Sequence, residues 1–257
     1  MQAPTQLGGM SDLSGLQTAD WGTRARCIGM AILLSAAGYV GSNAVALVGV
    51  SFLSFLGVDL RANPALLFPV GTILQGLGFG LMVFGYVVYR SKWDLLRARL
   101  PSVSDLLWTA GGVVALVAAL ALISTVFSRL GVQVAQNQVE TIGTEHPEML
   151  LYMIPLAYLV IGPGEELLFR GAVQGVLRDA YAPAPAIFIA SALFGVAHTL
   201  ALSGEGKLAY VGAVVLLGAI LGALYEVTDN LVVPSLVHGT YDALIFISIY
   251  ARATGLA

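Results

Sequence analysis

Residues 150–171 read Leu150-Leu-Tyr-Met-Ile-Pro155-Leu-Ala-Tyr-Leu-Val160-Ile-Gly-Pro163-Gly164-Glu165-Glu166-Leu-Leu-Phe169-Arg170-Gly171. Two adjacent carboxylates, with an arginine one helical turn later, stand inside one of the most apolar stretches of the chain. An ionisable side chain in a membrane-spanning helix costs about 2.5–3.5 kcal/mol on insertion scales, so three together ask for a functional reason. Two further polar intrusions, His198 and the pair His238/Asp242, lie in separate apolar segments. Three such segments point to an active site within the membrane.

Composition identifies the solvent. Of 257 residues, 58% are hydrophobic and 11% charged, with a mean hydropathy of +0.85. Soluble domains carry about 25% charge, so the expected class is an all-α polytopic membrane protein. Ten-residue stretches of alternating polarity, the mark of a transmembrane barrel, are absent. No basic block suits nucleic acid. The single cysteine, Cys27, excludes an internal disulfide framework and reads as a small apolar residue at a helix start.

Seven spans are expected, over 27–56, 66–89, 105–127, 149–178, 184–202, 208–226 and 231–251. An eighth would fit only within the long first segment, where Gly38, Gly41, Ser42 and Asn43 favour a bend. The chain divides into an N-terminal tail (1–26), N-terminal spans (27–148), site-bearing helices (149–251) and a short C-terminal tail (252–257). The first 25 residues, with Ser11, Asp12, Thr18 and Asp20, lack signal-peptide character and read as a cytoplasmic tail. Arg90 to Arg99 reads as an interfacial segment with a basic face, and 128–148 as a polar loop in which His146 is solvated. Cationic residues orient the stack. Arg24, Arg26, the Arg90–Arg99 cluster, Arg170 and Arg178 fall on one side, against Arg61, Arg129, Lys207 and Arg252 on the other. That distribution puts the N-terminus in the cytoplasm and the C-terminus outside, in an integral protein expected in the cell membrane. Gly76/Gly80, Gly171/Gly175 and Gly218/Gly222 are small-residue pairs suited to helix contacts.

The chemistry follows from spacing. Glu166 and Arg170, at i and i+4, share a helical face and can pair, which lessens the cost of burying either. Glu165 points about 100° away and is the carboxylate left for chemistry. Pro163 and Gly164 are expected to interrupt the helix and restart it, with Glu165 in the new first turn. Taken alone, Glu166–Arg170 reads as a structural clamp and His198 as a hydrogen-bonded core residue. His238 and Asp242 again share a face and could orient water, bind a metal or donate to an oxyanion. Glu165 lies thirteen residues from Arg178, and His198 thirteen from Pro185. Both are therefore about 20 Å from the same interface and can meet at one level.

Glu165-Glu166-x-x-x-Arg170, Phe194-x-x-x-His198 and His238-x-x-x-Asp242, in this order, resemble the CAAX prenyl protease type II and bacteriocin-processing (CPBP) family of intramembrane proteases. Phe169, Gly171, Gly195 and the run Leu217 to Pro234 fit the same resemblance, which covers about residues 150–245. The resemblance implies seven or eight helices around a polar cavity and an endopeptidase acting at or near the membrane. Glu165 and His198 would activate water, His238 and residue 242 would stabilise the oxyanion, and Glu166 and Arg170 would support the site. Substrates in the family include prenylated CAAX proteins in eukaryotic members; prokaryotic members serve peptide maturation or self-immunity. The expected partners are a peptide or protein substrate, lipidated or not, and membrane lipids. One departure stands out: the commonest residue at 242 is Asn, and an ionised Asp can only accept hydrogen bonds.

Glu165, His198 and His238 also match a His/His/Glu metal set, a divalent cation such as zinc being the cofactor in that case. No single helix carries His-Glu-x-x-His, so water activation without metal is the preferred expectation. Two other classes remain open on sequence: a proton- or cation-coupled transporter, which also uses intramembrane carboxylates and histidines, and a catalytically silent protease-like scaffold.

Overall fold

The structure is a computed structural model describing residues 19–256. Most of the tail expected at 1–26 lies outside the described residues. Its boundary moves, because Asp20 caps a helix that begins at Trp21, accepting a 2.7 Å hydrogen bond from the Thr23 amide. Arg24 and Arg26 thus sit within the first helix instead of flanking it.

Among the described residues, seven helices are long and apolar enough to span a membrane: α1 (Trp21–Phe55), α2 (Pro64–Arg90), α3 (Val103–Leu130), α5 (Pro147–Arg178), α6 (Pro183–Ala201), α7 (Lys207–Thr228) and α8 (Val232–Thr254). They agree with the seven expected spans, most ends extending a few residues further. The polypeptide is an all-α polytopic membrane protein. α1 is one unbroken helix through Gly38–Asn43, with no second span divided off within it. Proline opens α2, α5 and α6, where its missing N–H costs nothing. Ser102 and Asp105 close a reciprocal capping box on α3.

The expected loop at 128–148 is partly ordered. A two-residue strand β1 (Gln136–Asn137) pairs antiparallel with β2 (Leu202–Ser203), and a short helix α4 (Gln138–Glu145) follows β1. Asn137 caps that helix through the Val139 amide, which explains why a polar stretch becomes helical here.

α5 is the central helix and packs on α1, α2, α6 and α8. Its middle differs from expectation. The chain passes Pro163 and Gly164 without a break: Ile161 and Gly162 both have helical backbone angles, so no free helix terminus faces the carboxylates. The helix widens instead into π turns at Ala157–Ile161, just before Pro163, and at Leu167–Gln174, on either side of Gly162–Glu166. A π turn takes in the residue whose N–H a proline removes from the regular ladder, and such turns concentrate at functional sites.

At the same level α5 and α8 touch backbone to backbone. A Cβ on Gly162 would lie 2.6 Å from the Ser235 carbonyl oxygen, and one on Gly239 would lie 2.7 Å from that of Ala157. Neither obstacle is a flexible side chain. Gly239→Val is therefore expected to force the helices apart and cost about 1–3 kcal/mol, as overpacking does. Thermal unfolding in detergent measures it, and an unchanged midpoint would contradict the close crossing.

The segment after α2 is a strap packed on the bundle. Leu95 is buried, and its side chain seats over Gly175, where a Cβ would come 2.5 Å from Leu95 Cδ2. The pair Gly171/Gly175 thus receives a strap residue instead of another helix. The bases of the strap are engaged: Lys92 with Asp179 at 2.9 Å, Arg97 with Asp229, and Arg99 with Asp105 and the Thr228 carbonyl. The hydrogen bond to Asp179 holds the Lys92 ammonium above the usual lysine range. Main-chain bonds add to this, Leu231 N–H donating to the Arg97 carbonyl. One end of the bundle is laced shut. The opposite end carries the β1/β2 ladder.

Candidate active site

Glu166 and Arg170 are fully buried, as their i, i+4 spacing allows. Arg170 Nε lies 2.9 Å from Glu166 Oε2, but the N–H is not aimed along that line and no guanidinium nitrogen has a hydrogen-bond acceptor among the described residues. Charge, not a directed hydrogen bond, joins the pair. The guanidinium carbon also sits 4.9 Å from the centroid of the Phe194 ring, a cation–π contact that offsets part of its desolvation.

The other oxygen of Glu166 does something the spacing did not reveal. Its Oε1 is 2.9 Å from His238 Nδ1. The carboxylate accepts, so Nδ1 carries the proton and the ring is held with Nε2 turned toward the opposite side. There it meets Asp242 Oδ2 at 3.6 Å and Glu165 Oε2 at 3.9 Å. Glu166, not Asp242, therefore orients His238 at Nδ1. Neither Nε2 contact is a direct hydrogen bond, but both fall within the reach of one bridging water.

His198 closes α6. The regular helix ends at Ala197, and a tighter turn, His198–Ala201, carries the chain into β2. Its Nδ1 is 2.9 Å from the Phe194 carbonyl oxygen. A carbonyl can only accept, so Nδ1 is again the protonated nitrogen, leaving Nε2 with a free lone pair. Phe194 is a shelf common to the site, edge-on to Phe169 (centroids 5.0 Å apart), His198 (4.5 Å) and His238 (5.9 Å).

Glu165, His198, His238 and Asp242 all line one cavity of about 780 Å³. Every candidate chemical group is thus brought to a single space, with Glu166 and Arg170 packed behind it. Glu165 has a fifth of its side chain exposed, yet its Oε2 is buried without a hydrogen-bond partner among the described residues. A carboxylate left so is destabilised where it stands, while the exposed part of the side chain lines the cavity.

The cavity wall holds polar residues that no motif marked: Tyr39 and Asn43 from α1, Gln75 from α2, Asn137 beside α4, Tyr210 from α7 and Tyr241 from α8. The N-terminal helices therefore contribute to the wall of the site. Among the described residues no three His, Cys, Asp or Glu side chains converge as a metal-binding group. Glu165, His198 and His238 nevertheless share the cavity.

Residues 147–244 match the family model described as type II CAAX prenyl endopeptidase, Rce1-like. This part of the chain is similar to that family. It contains all three motifs, from Glu165 to Asp242, and coincides closely with the extent of the resemblance read from sequence. The Rce1-like segment begins with α5 and includes most of α8, while α1–α4 precede it. No curated protein and no solved structure matches the chain.

Proposed function

We propose that this protein is an intramembrane endopeptidase in which the Glu165 carboxylate and His198 activate a water molecule for attack on a peptide carbonyl. The observation carrying this reading is the unpartnered Glu165 oxygen in a cavity shared with both histidines. In the proposed step, Glu165 takes one proton from water while His198 Nε2 accepts a hydrogen bond from the other. The water oxygen bonds to the carbonyl carbon, and the carbonyl π electrons move onto its oxygen. The proton held by Glu165 then passes to the amide nitrogen as the C–N bond breaks and the carbonyl re-forms. His238, oriented by Glu166, contributes through Nε2, with Asp242 at its side. The family match supports the peptidase class; the unpartnered Glu165 oxygen and the free His198 Nε2 lone pair support the Glu/His assignment.

Prenylated CAAX proteins are the substrate class the family description suggests. We assign the N-terminus to the cytoplasmic side from the excess of Arg and Lys near the strap end. The catalytic helices in this scheme are 149–251.

The test is cleavage in proteoliposomes of three probes: a quenched farnesylated CAAX peptide, its unprenylated form, and a random-sequence peptide library read by mass spectrometry. Wild-type cleavage lost in both Glu165→Ala and His198→Ala is expected. Equal cleavage by wild type and both variants, or none of any probe by wild type, would remove the proposal. Metal-free activation further predicts that a strong zinc chelator leaves the rate unchanged; a rate abolished by chelation and restored by zinc would replace Glu165 as the water activator.

A further inference from the structure

Asp242 raises a question of chemistry. An oxyanion needs hydrogen-bond donors, and an ionised Asp has none. His238 gives its Nδ1 proton to Glu166, so it offers Nε2–H only when doubly protonated, and two carboxylates, Asp242 at 3.6 Å and Glu165 at 3.9 Å, then attract that proton. A donor free of such competition must come from elsewhere on the cavity wall.

Tyr210 meets the requirement. It lines the cavity together with Glu165, His198 and His238. Its hydroxyl oxygen accepts a 3.0 Å hydrogen bond from Asn137 Nδ2. Its own proton has no acceptor among the described residues, so the O–H is fixed at the oxygen and available at the hydrogen. A hydroxyl that accepts one hydrogen bond is polarised into a better donor of the next.

The ladder explains how the hydroxyl is aimed. Asn137 in β1 pairs directly opposite Leu202 in β2, four residues after His198. α7 is anchored to the same connection: Gly206, at φ +78°, abuts the chain so closely that a Cβ there would lie 2.2 Å from the Gln133 carbonyl oxygen. Tyr210 follows the start of α7 by three residues, and His198 precedes the end of α6 by three. At 1.5 Å per residue both stand about 5 Å inside the same end of the bundle. One two-stranded ladder thus binds the His198 turn, Asn137 and Tyr210 into a unit.

We infer that Tyr210 is a catalytic residue, donating the hydrogen bond that stabilises the oxyanion, with Asn137 as its positioning residue. The inference rests on the endopeptidase reading. No proton leaves the tyrosine; the phenol O–H shortens its hydrogen bond to the substrate oxygen as negative charge develops there.

The experiment uses full-length protein in proteoliposomes and whichever probe wild type cuts. Tyr210→Phe should lower kcat about 10²-fold with KM within threefold, the loss typical of one oxyanion donor. Asp242→Asn, which installs a donor next to His238, should restore at least tenfold of that loss in the double variant. Asn137→Ala should lower kcat by a smaller factor, and Asn137→Gln should recover part of it. An unchanged kcat in Tyr210→Phe, a loss confined to KM, or no recovery with Asp242→Asn would overturn the inference while wild-type cleavage upholds the endopeptidase reading. Absence of wild-type cleavage removes both.

Discussion

Glu165→Gln is expected to reduce peptide cleavage by about 10²–10⁴-fold, the range for a general base, without lowering thermal stability. The two halves of this result come from one observation. Glu165 Oε2 is buried and lacks a hydrogen-bond partner among the described residues, so its charge brings the fold little and costs desolvation. Glutamine keeps the shape and removes the charge, relieving that cost. It also removes the basic lone pair that water activation requires. The unfolding midpoint should stay level or rise, as happens when a site strained for function is neutralised. Parallel measurements of kcat in proteoliposomes and of unfolding in detergent separate the two effects. Turnover within threefold of wild type would show that another group takes the proton from water. A large fall in the midpoint would show that the carboxylate holds the fold together, returning it to the structural role given to Glu166.

Arg170→Met should have the opposite signature, a loss of about 3–5 kcal/mol in stability, because it strands Glu166 as a buried charge. Glu166 and Arg170 are both fully buried, and Glu166 has only His238 Nδ1 left to answer it. Removing the pair together, as Glu166→Leu with Arg170→Met, should recover most of that stability, since two apolar side chains need no compensation. The double variant should still be inactive. Without Glu166, His238 loses the acceptor that determines which nitrogen faces the cavity. Equilibrium unfolding of the single and double variants, alongside cleavage, makes the test. A single variant costing under about 1 kcal/mol would mean that water reaches Arg170 and Glu166, and that they are not a sealed pair.

The membrane character of the chain was legible in its composition, because bilayer thickness forces about 20 apolar residues into each crossing and leaves few ways to arrange them. The Glu166–Arg170 pair was equally legible, since i, i+4 geometry is local. So was the order of the motifs, which the Rce1-like match over residues 147–244 supports. Pro163 was read as a helix breaker, whereas α5 continues through π turns beside it. Proline specifies a missing N–H; whether the helix stops or widens depends on the packing around it, here the close crossing with α8 at Gly162 and Gly239.

Sequence alone determined that carboxylates and histidines stand in apolar helices, and which of them are neighbours within a single helix. Tertiary structure decided the rest: that Glu166 reaches across 72 positions to His238, that Leu95 occupies the seat at Gly175, and that a two-residue ladder sets Asn137 beside Tyr210. Periodicity carries information along one helix, where 1.5 Å of rise and 100° of turn relate each residue to the next. Contacts between helices depend on rotation and depth, which are determined only when all the surfaces pack together.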